Sequence, residues 1–228
     1  VFEGKEGIFH VISNVKWSKE AMLSGLGEEF MITQCGYKAF PTEALTHQPI
    51  TAVMELMEEN GVDPHNVEEV VVETTARGAD ILSDPSKYKP TTKETADHSL
   101  PYCIAVAVTK GNVLPSDFEP DALKDAFVWE MLGRIKVIAN AEIDGMFPGT
   151  KRTIVHITTK DQKKFTKQED FAKGRPQRPL TDDELIAKYK ANARVTVSDK
   201  RLNEIVDATW NLEQFSNISD YMKLLVRT

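Results

Sequence analysis

Cysteine is scarce in this chain, and its scarcity excludes two classes of metal site. Cys35 and Cys103 are the only cysteines among 228 residues. Two thiolates are too few to hold an iron–sulfur cluster by themselves, and their spacing is not that of a structural zinc site. We expect both to be reduced thiols, as in most intracellular proteins.

Basic charge and long apolar runs are also lacking. The chain has 28 Lys and Arg against 35 Asp and Glu, a net charge of -7. Phosphate binding needs clustered basic residues, whereas most of these alternate with acidic ones, so we expect no nucleic-acid partner. The longest apolar run, residues 103–108, is far shorter than the roughly 20 residues of a membrane span, so we expect no membrane partner. This composition still allows a small basic pocket for an anion.

An initiator methionine and a targeting signal are absent as well. The chain begins Val-Phe-Glu-Gly and shows neither a signal peptide nor a transit peptide. We expect a chain that has been processed or shortened at its amino terminus, with any targeting signal upstream. The expected location is the cytoplasm, or the mitochondrial matrix if the source is a eukaryote.

The chain has instead the composition of a folded protein with one or two domains. Hydrophobic residues make up 41% and charged residues 28%, which is far from the composition of disordered chains. Helical and strand patterns both occur, which predicts an α+β fold. We predict strands at residues 30–33 and 67–75, a hairpin at 153–166, a short helix within 2–14, and further helices at 49–60, 100–110, 120–134, 183–193, 199–212 and 219–225.

A change in composition at residue 173 predicts a boundary. Residues 173–179, Lys-Gly-Arg-Pro-Gln-Arg-Pro, are basic and rich in proline, which is typical of a linker. Thr181 and Glu184 then have the spacing of a capping box, which opens a helix. After this linker the pattern predicts helices alone.

Polar, titratable residues directly precede the most apolar segment. Residues 100–110 are apolar on nearly every side, the pattern of a fully buried helix. Asp97, His98 and Ser99 come before it, and Pro101 is tolerated in the first turn. Because the positive end of a helix stabilises an anion, these polar groups indicate a candidate site.

Two longer motifs carry a family resemblance. They are YKAFPTEA at residues 37–44 and KPTTKETADHSLPY at residues 89–102. Both resemble signatures of the MmgE/PrpD family, and the segments at 2–7 and 173–181 resemble flanking parts of the same family. Together they cover most of the chain and place it as the carboxyl-terminal half of the family's usual polypeptide.

The resemblance implies a domain organisation. The family pairs a helical domain with a smaller α+β lid, and the active site lies between them. Residues 1–24 are then the end of the helical domain, residues 25–172 the lid, and residues 173–228 helices that return to the helical domain. The implied partners are an amino-terminal helical part, in the same or a separate polypeptide, and a second copy in a homodimer.

The resemblance also implies an activity that needs neither metal nor nucleotide cofactor. Family members act on small tricarboxylic acids, and the leading expectation is a hydro-lyase similar to 2-methylcitrate dehydratase. A reaction similar to that of cis-aconitate decarboxylase, or an epimerisation, stays open. A different alternative is a non-catalytic half that serves interaction or dimerisation.

Three residues of the motifs are candidate catalytic residues. Lys38 would pair with a substrate carboxylate and stabilise enolate-like charge. Tyr102 would donate a proton to the leaving hydroxyl. His98 would act as a base or orient Tyr102, four positions further on. Lys38 and Tyr102 match lid residues that line the family's active site, and His98 lies in the same motif.

Each candidate also has a structural interpretation. Lys38 would be a solvated turn lysine, Tyr102 a core residue with a satisfied hydroxyl, and His98 a residue bonded to a helix end. We expect His47 and Arg77 to bind substrate, although His47 would equally cap the helix before Pro49 and Arg77 would be solvated in its loop. The remaining histidines show no metal pattern and are expected to be structural.

Overall fold

The main feature of the fold is a four-stranded sheet with helices packed against it. The computed structural model describes residues 4, 7–13, 18–147 and 149–226. The strands are β1 (Val67–Thr74), β2 (Ile135–Ala139), β3 (Thr153–Thr159) and β4 (Lys164–Glu169). The helices are α1 (Ile8–Ser13), α2 (Lys19–Leu23), α3 (His47–Asn60), α4 (Ala76–Ser83), α5 (Lys93–Asp97), α6 (Leu100–Lys110), α7 (Ala126–Leu132), α8 (Ala141–Met146), α9 (Asp182–Ala193), α10 (Asp199–Trp210) and α11 (Ile218–Leu225).

Internal contacts divide the chain into two compact units. The first ends at Cys35 and contains α1 and α2, and the second begins at Gly36 and contains the sheet with α3 to α11. The resemblance implies a domain boundary between residues 24 and 25, and this position lies inside the first unit. The assignment of residues 1–24, 25–172 and 173–228 to separate domains stays a prediction.

The sheet has the order β2-β1-β3-β4. β1 is parallel to β2 and antiparallel to β3, and β3 forms a hairpin with β4. The parallel pair needs a long crossover, and the helices between β1 and β2 provide it. Helices α3 and α6 contact the sheet. The α+β fold, the strand at 67–75 and the hairpin are therefore confirmed.

Helix α6 is the centre of the core. Its residues from Leu100 to Val108 are all buried, as its apolar pattern predicts. The Ser99 hydroxyl accepts a hydrogen bond from the Tyr102 amide at 3.1 Å and so caps the first turn. Gly111, with φ 70°, ends the helix in the left-handed region, where a residue without Cβ is favoured.

Two predicted elements are wrong. Residues 30–33 do not form a strand, because Met31–Gln34 is a 3₁₀ helix with exposed side chains. The helix predicted at 120–134 is interrupted, since the Asp125 carboxylate accepts hydrogen bonds from the Phe127 and Val128 amides and starts α7 there. Strand β2, directly after α7, was not predicted from the sequence pattern.

The carboxyl-terminal helices α9, α10 and α11 confirm the three predicted there. The capping box of Thr181 and Glu184 opens α9. Helix α10 buries Leu202 and Ile205, whereas α11 buries none of its residues. Among the residues that the structure describes, no helix is both long and apolar enough to cross a membrane.

The linker before α9 is tied to the segment that carries the first motif. The Tyr37 amide donates a hydrogen bond to the Gly174 carbonyl at 2.8 Å, and the Gly174 amide donates to the Arg178 carbonyl at 2.8 Å. The Arg178 guanidinium also pairs with Glu55 on α3 and Glu169 at the end of β4. These bonds fix the linker against the motif at residues 37–44.

Gly174 has two reasons to be glycine. Its φ is +91°, and a Cβ there would overlap the Tyr37 carbonyl. Gly174→Ala is therefore expected to lower the free energy of unfolding by about 3 kcal/mol, because backbone strain and a steric clash add together. Chemical denaturation of the two proteins measures this loss.

Gly111→Ala is the matched control for this substitution. Gly111 also has a positive φ, but a Cβ there would meet no atom within 4 Å. This variant should lose only about 1 kcal/mol, the cost of the left-handed conformation alone. Equal losses for Gly111→Ala and Gly174→Ala would show that the contact with Tyr37 does not constrain the linker.

Candidate active site

The loop before α3 brings Lys38 and His47 to one backbone carbonyl. The Lys38 Nζ donates to the Thr42 carbonyl at 2.8 Å, and the His47 Nε2 lies 3.4 Å from the same oxygen. Because a carbonyl only accepts, the proton of a neutral His47 belongs on Nε2. Lys38 is exposed, whereas His47 is only 3% exposed. A solvent-facing ammonium thus lies beside a buried imidazole.

The surroundings of His47 keep its imidazole neutral at pH 7. Burial is the main cause, and it lowers the pKa of His47 to about 4. The Thr42 carbonyl opposes this shift, while the positive charges of Lys38, Arg175 and Lys188 add to it. Three cations are therefore close enough to act on one buried histidine.

Lys38, Arg175 and His47 lie around a small cationic pocket. It is a cavity of about 150 Å³ whose polar lining includes Lys38, His47, Lys173 and Arg175, and none of the described residues that line it is acidic. Lys173 is paired with Glu184 at 2.7 Å. Among the residues described, neither Lys38 nor Arg175 has a carboxylate partner. The same holds for Lys188 on α9. A protein of net charge -7 thus keeps uncompensated positive charge in one place.

The second motif forms a dyad beside this loop. The His98 Nδ1 lies 2.5 Å from Asp97 Oδ1, and the Lys93 Nζ lies 3.0 Å from Asp97 Oδ2. The Asp97 side chain is 12% exposed and that of His98 is 57% exposed. A carboxylate that holds one imidazole nitrogen leaves the other free to take or give a proton.

Backbone hydrogen bonds connect the two motifs. The Glu43 amide donates to the Asp97 carbonyl at 3.0 Å, and the Thr46 hydroxyl donates to the Glu43 carbonyl at 2.8 Å. Thr46 in turn shares a hydrogen bond with the Thr42 hydroxyl at 2.7 Å. The loop that carries Lys38 and the turn that carries His98 are thus parts of one network.

Comparison with known protein families gives a match over most of the chain. Residues 40–212 match the profile of the MmgE/PrpD C-terminal domain, which is more than half of the chain. The chain belongs to the MmgE/PrpD family. The match includes the motif at residues 89–102, the linker, α9 and α10.

Individual MmgE/PrpD relatives are similar at low identity. A cis-aconitate decarboxylase-like protein, oryM, from Aspergillus oryzae is 24% identical over 225 residues, which cover 92% of this chain and 44% of the relative. Cis-aconitate decarboxylase from Aspergillus terreus is 21% identical over 216 residues, with the same coverage. Cis-aconitate decarboxylase from Mus musculus is 24% identical over 136 residues, 60% of this chain and 28% of the relative. The chain spans less than half the length of these relatives.

Tyr102 of this MmgE/PrpD chain lies in the core. Its side chain is 1% exposed, its hydroxyl donates to the Asp117 carbonyl at 2.9 Å, and its ring packs against Phe118. Burial raises the pKa of the Tyr102 hydroxyl. It does not line the cationic pocket. This position agrees with the structural interpretation and gives no support to Tyr102 as a proton donor.

The expected pairing of His98 with Tyr102 on one helical face is wrong. His98 follows α5 and lies outside α6, because Ser99 is the residue that caps α6. The partner of His98 is Asp97, which the sequence pattern indicates as a polar group before α6 but to which it assigns no role of its own. The adjacent acid and histidine at positions 97 and 98 are the signal in the sequence that could have indicated the dyad.

His98 and Arg77 do not line the cationic pocket either. Arg77 is exposed in the first turn of α4 rather than in a loop, and it does not line the pocket. His65 stacks on Phe127, and His156 bonds to Glu73, which agrees with structural roles. In the described part of the chain, no three His, Cys, Asp or Glu side chains are placed to hold a metal ion.

Sequence reasoning missed two cations of the pocket region. Arg175 belongs to the basic linker, whose charge was noticed but not connected to the first motif. Lys188 lies in the middle of α9, where a lysine normally indicates only a solvated face. The fold alone brings both close to His47.

The pKa of His47 predicts how stability depends on pH. In the unfolded chain His47 takes a proton near its ordinary pKa of 6.5, whereas in the folded chain it stays neutral down to about pH 4. Stability is therefore retained above about pH 6.5 and falls towards pH 4. Between about pH 7.5 and pH 4.5, the unsubstituted protein should therefore lose about 2 kcal/mol more unfolding free energy than the His47→Gln variant.

Denaturation at a series of pH values measures this difference. If His47→Gln and the unsubstituted protein lose the same stability towards low pH, His47 is not held neutral in the folded state.

Proposed function

We propose that this chain is the carboxyl-terminal part of a lyase that acts on a citrate-like tricarboxylic acid, with decarboxylation of cis-aconitate as the leading reaction. The observation that carries the proposal is the group of cations around His47, which lack carboxylate partners among the described residues. The similarity to cis-aconitate decarboxylases from Aspergillus terreus and the mouse, and to a cis-aconitate decarboxylase-like protein from Aspergillus oryzae, supports the same substrate class.

Binding of a tricarboxylate needs positive charge that the protein has not already neutralised. Lys38 and Arg175 provide an ammonium and a guanidinium in the cationic pocket, and the guanidinium suits a carboxylate because it can donate two parallel hydrogen bonds. His47, neutral at pH 7, adds no further charge, and its one N–H faces the Thr42 carbonyl, so Lys38 and Arg175 provide the donors. The pocket is therefore suited to one carboxylate arm of the substrate.

Decarboxylation of cis-aconitate moves electrons towards a second carboxylate. The bond to the departing CO₂ breaks, its electron pair forms a new carbon–carbon double bond, and the original double bond shifts its pair to the carbon beside the remaining carboxylate. Negative charge then spreads onto that carboxylate until the carbon takes a proton. A cation at the carboxylate, here Lys38, stabilises this intermediate more than the substrate.

The proton in this reaction is assigned to the dyad. His98 is exposed and held by Asp97 at one nitrogen, so its other nitrogen is assigned the delivery of the proton, which requires a substrate that extends beyond the cationic pocket, because His98 does not line it. Asp97 would hold the imidazole in place during the transfer. Tyr102 is not used in this scheme, because its hydroxyl is bonded inside the core.

Dehydration of 2-methylcitrate is the second candidate. The same dyad favours it, because a neutral His98 held by Asp97 can remove the proton beside a carboxylate while Lys38 stabilises the enolate-like charge. Departure of the hydroxyl then needs an acid in addition to the dyad. Because no such acid is assigned among the described residues, we favour decarboxylation over dehydration.

Completion of the enzyme by an amino-terminal helical part belongs to the same proposal. Helix α11 exposes Ile218, Met222 and Leu225, which recur at positions i, i+4 and i+7 along one face. Such a face supports packing of the carboxyl-terminal helices against further helices. A homodimer and a cytoplasmic location are also proposed. A non-catalytic role would not account for the unpaired cations around His47 or for the Asp97–His98 dyad.

Substitution of the pocket cations tests the proposal in the complete polypeptide. Lys38→Met and Arg175→Met should each lower kcat/KM for cis-aconitate about 100- to 1,000-fold, because each removes a charge that stabilises the intermediate. His98→Gln should lower kcat about 100- to 10,000-fold with a smaller effect on KM. Release of CO₂ and formation of the unsaturated diacid measure the reaction.

Lys164→Met is the control for charge, since Lys164 is exposed on β4 and lines no described cavity. It should retain full activity. Turnover of 2-methylcitrate alone would establish the dehydratase instead. No turnover of either acid by the complete, folded polypeptide would overturn the lyase proposal.

A further inference from the structure

A groove of about 490 Å³ adjoins the cationic pocket, with α3 on one side and α9 on the other. Lys38 and Lys173 line both cavities, so a ligand held at Lys38 can extend into the groove. Lys188 on α9 lines the groove but not the pocket. The positive charge around His47 therefore continues into the groove.

Lys188 lacks a carboxylate partner because the acid best placed to pair with it is already used. Glu184 precedes Lys188 by four residues, the spacing at which an acid and a lysine pair on a helix. One Glu184 oxygen pairs with Lys173 at 2.7 Å, and the other accepts a hydrogen bond from the Thr181 amide at 2.7 Å. The Lys188 side chain is half-buried, and its ammonium has no ion pair within the described part of the chain. This charge is therefore available to an anion in the groove.

Helix α3, on the other side of the groove, contributes a buried hydroxyl that also lacks a partner. Thr51 lines the groove and is only 4% exposed. Its Oγ1 makes no hydrogen bond to any residue that the structure describes. A buried polar group without a partner costs free energy and calls for an explanation, which a ligand in the groove provides. A threonine on a helix adopts either of two rotamers, so this hydroxyl can turn to meet such a ligand.

The acids that line the groove leave room for an anion at this end. Glu55 and Glu184 are both paired with lysines. Glu58 is exposed and forms no ion pair among the described residues. It follows Thr51 by seven residues, which places it about 10 Å further along α3. A carboxylate beside Thr51 and Lys188 would therefore be close to unpaired positive charge and distant from the unpaired acid.

His47 relates these two groups to the cationic pocket. Thr51 follows His47 by four residues, so both lie on the same face of α3, about 5 Å apart along the helix. Lys188 is close enough to His47 to lower the pKa of its imidazole, as Lys38 and Arg175 also do. Two carboxylates on a short carbon chain can span a distance of this order. One acid can therefore reach the pocket and the groove at once.

We propose that Lys188 and Thr51 bind a second carboxylate of the substrate and make the site specific for acids with two or more carboxylates. The inference rests on the proposed function, because the first carboxylate occupies the pocket at Lys38 and Arg175. Lys188 supplies the charge and Thr51 a hydrogen bond. A monocarboxylate leaves both groups unpaired, and a site built to bind a polar group discriminates strongly against a ligand that lacks it.

Glutarate and pentanoate test the inference in the complete polypeptide, because they share a five-carbon chain and differ by one carboxylate. Titrations followed by NMR measure the dissociation constant of each acid. Glutarate should bind at least about 10-fold more tightly than pentanoate. Lys188→Met should weaken glutarate binding about 10- to 100-fold and Thr51→Val about 3- to 10-fold, because a charged and a neutral hydrogen bond are lost. Both variants should bind pentanoate as the unsubstituted protein does.

Thr51→Val has a second readout that a structural role would move in the opposite direction. This substitution removes a buried hydroxyl without a partner and keeps the shape of the side chain. The free energy of unfolding without ligand should therefore be retained or raised, while glutarate affinity falls. Chemical denaturation measures the first effect. A loss of stability in Thr51→Val would show that the hydroxyl is bonded within the protein, and would overturn its assignment to the substrate.

Lys190→Met and Thr109→Val are matched controls for charge and for the hydroxyl. Lys190 is also on α9, and neither residue lines a described cavity. The Thr109 hydroxyl donates to the Ala105 carbonyl at 2.8 Å within α6. Both variants should bind glutarate and pentanoate with unchanged affinity.

The results separate this inference from the proposed function. If Lys38→Met weakens glutarate binding but Lys188→Met and Thr51→Val do not, the second carboxylate site is rejected and the lyase proposal stands. An equal loss for glutarate and pentanoate in Lys188→Met would assign Lys188 to the first carboxylate and also overturn the inference. If neither acid binds, the cationic pocket itself is rejected, and the carboxylate-binding basis of both proposals is lost.

Discussion

The hydrogen bond between the Tyr37 amide and the Gly174 carbonyl is the contact on which the candidate site depends. It joins two segments that are far apart in sequence, the first motif and the basic linker. Because Lys38 follows Tyr37 and Arg175 follows Gly174, this one bond places two cations next to each other. The left-handed conformation of Gly174 is the backbone geometry that permits the approach.

The electrostatic consequence is a concentration of positive charge in an acidic protein. Proximity of Lys38, Arg175 and Lys188 is unfavourable by itself, and the neutral state of the buried His47 limits the repulsion. An anion bound in the pocket would make the proximity of the three cations favourable, because it would attract all of them. The arrangement therefore favours a ligand with carboxylate groups.

The second motif contributes through a different physical principle. The Asp97 carboxylate is largely buried, and it holds the exposed His98 through one imidazole nitrogen. Lys93, one helical turn earlier, forms an ion pair with Asp97. Because the Glu43 amide binds the Asp97 carbonyl, the dyad and the Lys38 loop are held in one network rather than as separate surface features.

Local patterns were sufficient to predict the elements whose signals are local. The buried helix α6, the helix that Gly61 ends, the β3–β4 hairpin and the capping box of α9 all follow from periodicity and from caps. Strand β2 was missed because its five residues are mostly exposed and gain their identity by pairing with β1. Residues 30–33 have β-forming side chains but no partner strand in the described structure.

The candidate site was predictable only in part, for the same reason. The motif resemblance indicated Lys38 and His98, and proximity in sequence indicated His47. Arg175 and Lys188 come from distant segments, so only the folded chain shows that they act on His47. Tyr102 has the right chemistry for catalysis, but its position on a helix that is buried on every side decides its environment.

Titration of His47 in the complete polypeptide by NMR, with and without tricarballylate, tests the central claim most directly. The account predicts a pKa near 4 without ligand and a clear upward shift when the carboxylates bind, because an anion offsets the three cations. A pKa near 6.5 without ligand, or one that tricarballylate leaves unchanged, would contradict the assignment of this pocket as the carboxylate site.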